Sequence, residues 1–332
     1  MPIIEKKSDL HKNMVTWRHH LHQRPELSFE EEITSDYIAS VLQSHDIEIH
    51  RGLAVTGIVA TIHGTRKGRA IGLRADMDAL PIQEKNDFSH KSIHEGKMHG
   101  CGHDGHSTML LGAAVYLKEN NDFAGTVHLI FQPAEEGGGG GRVMVDEGIF
   151  DKFPCQAVYG MHNWPGIDEG QFAVHDTAVM AANETLKISI IGKGGHAAMP
   201  EQCVDPVVIG AQIINALQSI VSRNVAPLKS AVISITMVNA GFVHNVIPNE
   251  MNLTGSLRYF SKDVGDEVKE KIKSIVEGVS KSMGASATFE SIQNYPATIN
   301  TPKHAEICAK AAGMVVGEKN VHRNELPSMA SE

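Results

Sequence analysis

The sequence has no closely spaced cysteine pair. Its four cysteines, Cys101, Cys155, Cys203 and Cys308, are scattered and no CxxC occurs, which excludes a zinc-finger type of site closed by thiolates. Scattered thiols fit a reducing compartment, where they stay free and a particular one can serve as a metal ligand. There is no Lys/Arg-rich run and the net charge is -9, so neither a nucleic acid nor an anionic membrane is an expected partner. No uninterrupted apolar span is long enough to cross a bilayer, and the N-terminal MPIIEKKSDLHKNM lacks the apolar stretch of a secretory leader. Cytoplasmic residence and a small-molecule ligand are therefore expected. No internal repeat or low-complexity tract occurs beyond the five glycines Gly137 to Gly141.

What is present is a chain of 332 residues, 42% hydrophobic, long enough for two domains with separate cores. Residues 9–22 and 29–45 read as amphipathic helices, the second with Glu30, Glu31 and Glu32 in its first turn, where the helix dipole favours them. Short β-rich runs at 57–64 and 70–78 precede a helix from about His106 to Lys118, and two further strands end at Pro133 and Asn163. This alternation predicts an α/β fold with a mostly parallel, layered sheet, whose ligands gather in the loops after the strand ends. From about Asn183 the order becomes β-α-β-β-α-β, a split, ferredoxin-like α+β unit inserted into the first domain. The expected division is 1–182 and 296–332 for the main domain and 183–295 for the insertion.

The chemistry concentrates in the strand-end loops. MHGCGHDGH, Met98 to His106, sets one thiol and three imidazoles within nine residues. Cys101 and His103 are separated only by Gly102, so a turn must aim both at one place. FQPAEEGGGGG puts Glu135 and Glu136 after a strand; adjacent side chains diverge there, so one carboxylate can bind a metal while the other reaches the metal's water. YGMHNWPG adds His162 after the next strand. Cys101, His103, Glu136 and His162 make a mixed thiolate, imidazole and carboxylate set, suited to zinc, cobalt, nickel or manganese rather than calcium or magnesium, with room for a second metal.

Asp76 and Asp78 follow a strand beside Arg74; Asp76 reads either as a group that orients a ligating histidine or as half of an Asp/Arg surface pair. His19, His20 and His22 sit on the first helix and read as structural. In the insertion, His196 lies in a glycine turn, Asn245 beside Pro248, and Arg258 in SLRYF. Together they could grip a carbonyl oxygen and a carboxylate, since a guanidinium binds carboxylates through a two-pronged fork.

In this order, RPELSFEE, GLRADMDALP, MHGCGHDGH, FQPAEEG, YGMHNWPG and GKGGHAAMP resemble the amidohydrolase branch of the di-metal aminoacylase and carboxypeptidase family, which includes hippurate hydrolases and N-acyl-L-amino-acid amidohydrolases. The resemblance runs from about residue 14 to the last residue. It implies hydrolysis of N-acyl amino acids, two divalent metals, and an inserted lid domain that forms homodimers or larger homo-oligomers. It also implies Cys101, His103, Glu136 and His162 as ligands, Glu135 as general base, His196 acting from the lid in cis or across a dimer, and Asn245 and Arg258 near the substrate carboxylate. The family has one further ligating histidine after a Ser-Glu-Asp-Phe loop, and this sequence stops at PSMASE, inside that loop by the resemblance. A C-terminal truncation is therefore expected. Two alternatives stand beside the amidohydrolase reading: a dipeptidase of the same family and, because that histidine is absent, an inactive metal-binding or dimerising remnant.

Overall fold

The computed structural model describes residues 8–332; most of the lysine-bearing start of the N-terminal segment lies outside them. The described chain divides into two compact units. The first takes in residues up to Phe172 together with Ala311–Asn320, and the second Ala173–Lys310 with Val321–Glu332. The fold is mixed α/β.

In the first unit, helices α1 (Asp9–Gln23) and α2 (Glu32–Ser44) precede strands β1 (Glu48–Leu53), β2 (Gly57–His63) and β3 (Arg66–Asp76). Helix α3 (His103–Glu119), strand β4 (Ala124–Gln132), short helices α4 (Gly140–Asp146) and α5 (Ile149–Lys152), and strand β5 (Val158–Gly160) follow. Of the three glutamates predicted for the first turn of α2, only Glu32 is there. Glu31 is buried instead and accepts from Ala134 N–H at 2.8 Å and Thr56 Oγ1 at 2.7 Å.

The five strands order as β1-β2-β4-β3-β5. β4–β3 and β3–β5 are parallel, while β1–β2 and β2–β4 are antiparallel, so the sheet is evenly mixed rather than mostly parallel as the alternation of elements predicts. The cause is local. β1, which the hydrophobic pattern does not reveal, and β2 are joined by a tight turn, and β2 reverses into β3 through Gly64 and Thr65 alone. Along β2, Ile58, Ala60 and Ile62 pack with Trp17, Leu21, Ile38, Leu42 and Leu111 of the three long helices, while Val59 faces Met144 and Ile149 on the other side. That period of two is what lets one strand serve two cores. Because β4, β3 and β5 run in parallel, their C-terminal ends emerge at one edge of the sheet, and the first turn of α3 joins them there.

Short strands β6 (Phe172–Ala173) and β7 (Ala178–Met180) come next. The second unit then contains β8 (Ala182–Ile191), β9 (Gly195–His196), α6 (Pro206–Ser219), β10 (Ala231–Ala240), β11 (Val246–Ile247), β12 (Glu250–Tyr259), α7 (Lys262–Ser282) and β13 (Ser286–Tyr295). Its main sheet has the order β10-β12-β8-β13 with every pairing antiparallel. Leu186, Ile188 and Ile190 alternate inward along β8 and meet Ile209, Ile213 and Leu217 of α6 and Val268, Ile272 and Val276 of α7. α6 starts cleanly because the Asp205 side chain accepts from Val207 N–H at 2.9 Å and Pro206 occupies the first turn, where no N–H is needed.

One charge is buried in this second core. Glu184 accepts from Ser291 at 2.5 Å, from Lys269 at 3.0 Å and from the Tyr259 hydroxyl. Burial alone would push its carboxyl up, but Ser291, Tyr259 and Lys269 together hold it below the usual carboxylate range. A group whose folded pKa is depressed contributes stability above its unfolded value, about 4.3 for glutamate, and loses it as pH falls. Glu184→Gln should therefore lower unfolding free energy at pH 7 by about 1.5–3 kcal/mol. The gap to the wild type should narrow by pH 4 in denaturant titrations; a gap independent of pH would remove Glu184 as its source.

Candidate metal centre

The strand-end edge of the first unit brings together residues far apart in sequence. Met98 pairs with Leu80, and the chain then turns through Gly100 and Gly102 into α3. The helix begins three residues earlier than its periodicity predicts, at His103, with Gly102 in the left-handed conformation at φ 96°. This turn puts Cys101 on the approach and His103 in the first helical turn. Cys101 Sγ lies 3.4 Å from His162 Nε2, and those two with His103 form one group able to hold a cation. His103 with Glu135 and Glu136 forms a second such group. His103 is thus common to both.

Asp78 organises the centre. One of its oxygens lies 3.3 Å from His103 Nδ1 and also accepts the Glu135 N–H at 3.0 Å; the other accepts the Glu136 N–H at 2.9 Å and the Ser28 hydroxyl at 2.8 Å. It therefore fastens the imidazole and the Glu135–Glu136 turn to the end of β3. The sequence points to Asp76 as the carboxylate that orients a ligating histidine, and the structure corrects this. The structure gives the bond to His103 to Asp78, while Asp76 accepts from His106 at 2.6 Å and Arg74 at 2.9 Å.

The two glutamates also behave differently from expectation. Instead of diverging, Glu135 Oε2 and Glu136 Oε1 both face His103 Nε2, at 4.0 and 3.9 Å. The strand ends at Gln132, so the alternation of a strand no longer applies, and a turn clamped by Asp78 sets both directions. Ala134, at φ 53°, starts that turn in a conformation a non-glycine residue rarely adopts. Of the five glycines that begin at Gly137, Gly138, Gly140 and Gly141 are closely packed: a Cβ on Gly140 would lie 1.8 Å from Pro133 O.

The electrostatics call for a cation. Burial would push the His103 imidazolium down, yet its contacts with Asp78 and Cys101 and the charges of Asp76 and Asp78 overcome this and raise it to about 11. Burial pushes the Glu136 carboxyl up, with Asp78 and Asp76 adding to it against the charge of His103. His103 Nε2 and Glu136 Oε1 are both buried with no hydrogen-bond partner. Unpartnered buried polar atoms are rare and costly, and two of them facing each other across 3.9 Å beside a thiol and a second imidazole fit a metal ion.

Residues 72–332 match the Peptidase family M20/M25/M40. The chain belongs to this family. It is 40% identical over 332 residues to a hippurate hydrolase of Campylobacter jejuni, covering all of this chain and 86% of that protein. To an N-acyl-L-amino acid amidohydrolase of Geobacillus stearothermophilus it is 41% identical over 309 residues, covering 91% and 82%. A solved structure of a dinuclear metal-binding peptidase of family M20 from Bacillus subtilis superposes with a TM-score of 0.84 at 35% identity, covering 96% of this chain and 83% of that one. The centre of this M20 chain is accordingly one for divalent metal ions.

The other predicted residues lie in the second unit. His196 on β9 pairs with Val246 on β11, and Ala197 N–H donates to Asn245 O at 3.1 Å, so His196 and Asn245 are neighbours; both are exposed. Arg258 is not with them. It lies eight residues along β12 from Glu250, the end near β9 and β11, which is roughly 26 Å at about 3.3 Å per residue. Its guanidinium donates to Ser256 at 3.1 Å, Ser331 at 3.0 Å and Met329 O at 3.4 Å. The expectation that the three grip one small ligand is not met within one chain, because β12 is a straight strand that separates its two ends. On α1, His22 bonds Asp104 at 3.0 Å and Glu84 at 3.2 Å. Among the described residues no helix is long and apolar enough to cross a membrane.

Proposed function

We propose that this protein is a metal-dependent amidohydrolase that cleaves N-acyl amino acids, of the hippurate or N-acetyl kind, to a carboxylate and a free amino acid. The observation that carries the reading is the buried His103 Nε2, unpartnered and faced by Glu135 and Glu136. It stands in a chain related over its whole length to a hippurate hydrolase. In this reading Cys101, His103, Glu136 and His162 hold up to two divalent ions, with zinc, manganese, cobalt and nickel all suited to the donors. Such ions polarise an amide carbonyl and bring the pKa of a water towards neutrality. Glu135 takes the proton of the attacking water and returns it to the departing amine, since one carboxyl in reach of both must reverse its role. His196 stabilises the oxyanion, and Asn245 and Arg258 receive the substrate's carboxylate.

The separation of His196 and Asn245 from Arg258 bears on assembly. A small acyl amino acid does not span roughly 26 Å, so Arg258 comes from one copy and His196 with its neighbour Asn245 from another, and the active form is a homodimer or larger homo-oligomer. The domain division that accompanies this reading is a catalytic domain from 1–182 and 296–332 with a lid at 183–295, in a cytoplasmic enzyme.

Hippurate, N-acetyl amino acids and a simple dipeptide, each assayed with metal content measured in the same sample, test the proposal. Turnover of the acyl amino acids well above that of the dipeptide is expected. Faster dipeptide cleavage would make the protein a dipeptidase, and bound metal without turnover of any of them would make it a binding remnant.

A further inference from the structure

His106 and Asp76 lie beside the centre, and with His103 they form a third group whose atoms could surround a cation. Their hydrogen bonds argue for another use. His106 is buried in the first turn of α3 with both ring nitrogens engaged. Nδ1 is 2.6 Å from Asp76 Oδ1, and a carboxylate only accepts, so Nδ1 carries a proton. Nε2 lies 3.1 Å from the Asn163 backbone N–H and 2.5 Å from Asn163 Oδ1, so it either accepts from the first or donates to the second, and Asn163 engages it in both cases. His106 has no lone pair left for a metal.

What these bonds hold is the loop that carries His162. β5 has three residues and pairs only with β3 at the edge of the sheet, so the ladder gives that loop little support. His162 Nδ1 donates to Asn163 O at 2.6 Å, which turns Nε2 towards Cys101. The His106 and His162 rings meet edge-on at 4.5 Å. The Asn163 carboxamide also covers Gly102 so closely that a Cβ there would lie 2.3 Å from Oδ1. Asn163 is thus wedged between His106 and the turn that bears Cys101 and His103.

We propose that Asp76, His106 and Asn163 are a strut rather than ligands: they fix His162 relative to Cys101 and so set how tightly the centre holds its metal. This rests on the reading of Cys101 and His162 as ligands. Cobalt(II) is the probe, its affinity measured by chelator competition and its bond to Cys101 by the thiolate charge-transfer band. His106→Ala should weaken cobalt binding by about 10–100-fold, the usual effect of removing a partner that orients a ligand. His106→Gln keeps an acceptor for the Asn163 N–H and should recover most of that loss. His106→Asn reaches only towards Asp76 and should not. A residue that merely fills space would make Gln and Asn equivalent, and that result overturns the strut. So does a loss of bound cobalt stoichiometry in His106→Gln, which would make His106 a ligand. His162→Ala separates the two layers: unchanged affinity there removes the ligand reading itself, whereas weakened binding there with unchanged binding in His106→Ala overturns the strut alone. Should His106→Ala not fold, the Gln and Asn pair still decides the matter.

Discussion

Glu135→Gln should keep its bound metal and lose turnover, kcat falling by about 10²–10⁴-fold, the range that a positioned general acid–base contributes. The substitution preserves shape and removes only the ability to accept a proton. The Glu135 backbone N–H stays fastened to Asp78 at 3.0 Å, so the turn that presents Glu136 keeps its clamp. The side chain is buried, with Oε2 4.0 Å from His103 Nε2, close enough to serve a water at the same place. Elemental analysis beside the kinetic assay separates this outcome from simple loss of the centre. Metal retained with wild-type kcat would remove Glu135 as the base; metal lost would make it a ligand.

Cys101→Ala should lose metal. The thiol is one of three donors in its group and faces His162 Nε2 at 3.4 Å, and alanine leaves that group with its two imidazoles and no anionic donor. The loss should appear in stability as well as activity. Metal at about 100 times its dissociation constant stabilises the folded state by about 2.7 kcal/mol, so the rise in Tm on adding metal to the wild type should shrink or vanish in the variant. Acid should mimic the substitution. His103, raised to about 11 without metal, must give up its proton to bind, and the Cys101 thiol, whose contact with His103 favours ionisation but which burial and Glu136 push up overall, must ionise. Metal binding therefore releases protons and weakens as pH falls. Unchanged metal content in Cys101→Ala would refute the thiolate as a ligand.

The loops that converge in the first unit were legible because each follows a strand or opens a helix and carries metal-binding donors at short spacing. Asp76 was misread as the carboxylate that orients a ligating histidine, a role that Asp78 has at His103. Asp76 ends β3 and Asp78 follows it by two residues, and which of them meets His103 depends on how far the strand extends before the chain turns. His106 was legible as part of the histidine cluster but not as a strut, since its partners Asp76 and Asn163 are 30 and 57 residues away. β1 went unread because its burial hardly alternates: of its six residues only Leu53 is buried, so the strand has no apolar face to display. The glutamate pair was misread in direction. Alternation holds only while the backbone stays extended, and β4 ends three residues before Glu135.

The amino-acid sequence by itself determined the donors, their order and the two kinds of layer that carry them, because periodicity and residue chemistry are local properties. Tertiary structure alone decided which donors meet. Parallel pairing of β4, β3 and β5 brings the strand ends to one edge, and Asp78 aims His103 and both glutamates at a common point. Antiparallel pairing along β12 does the opposite for Arg258 and His196, since a strand keeps its two ends apart however close their roles look in sequence.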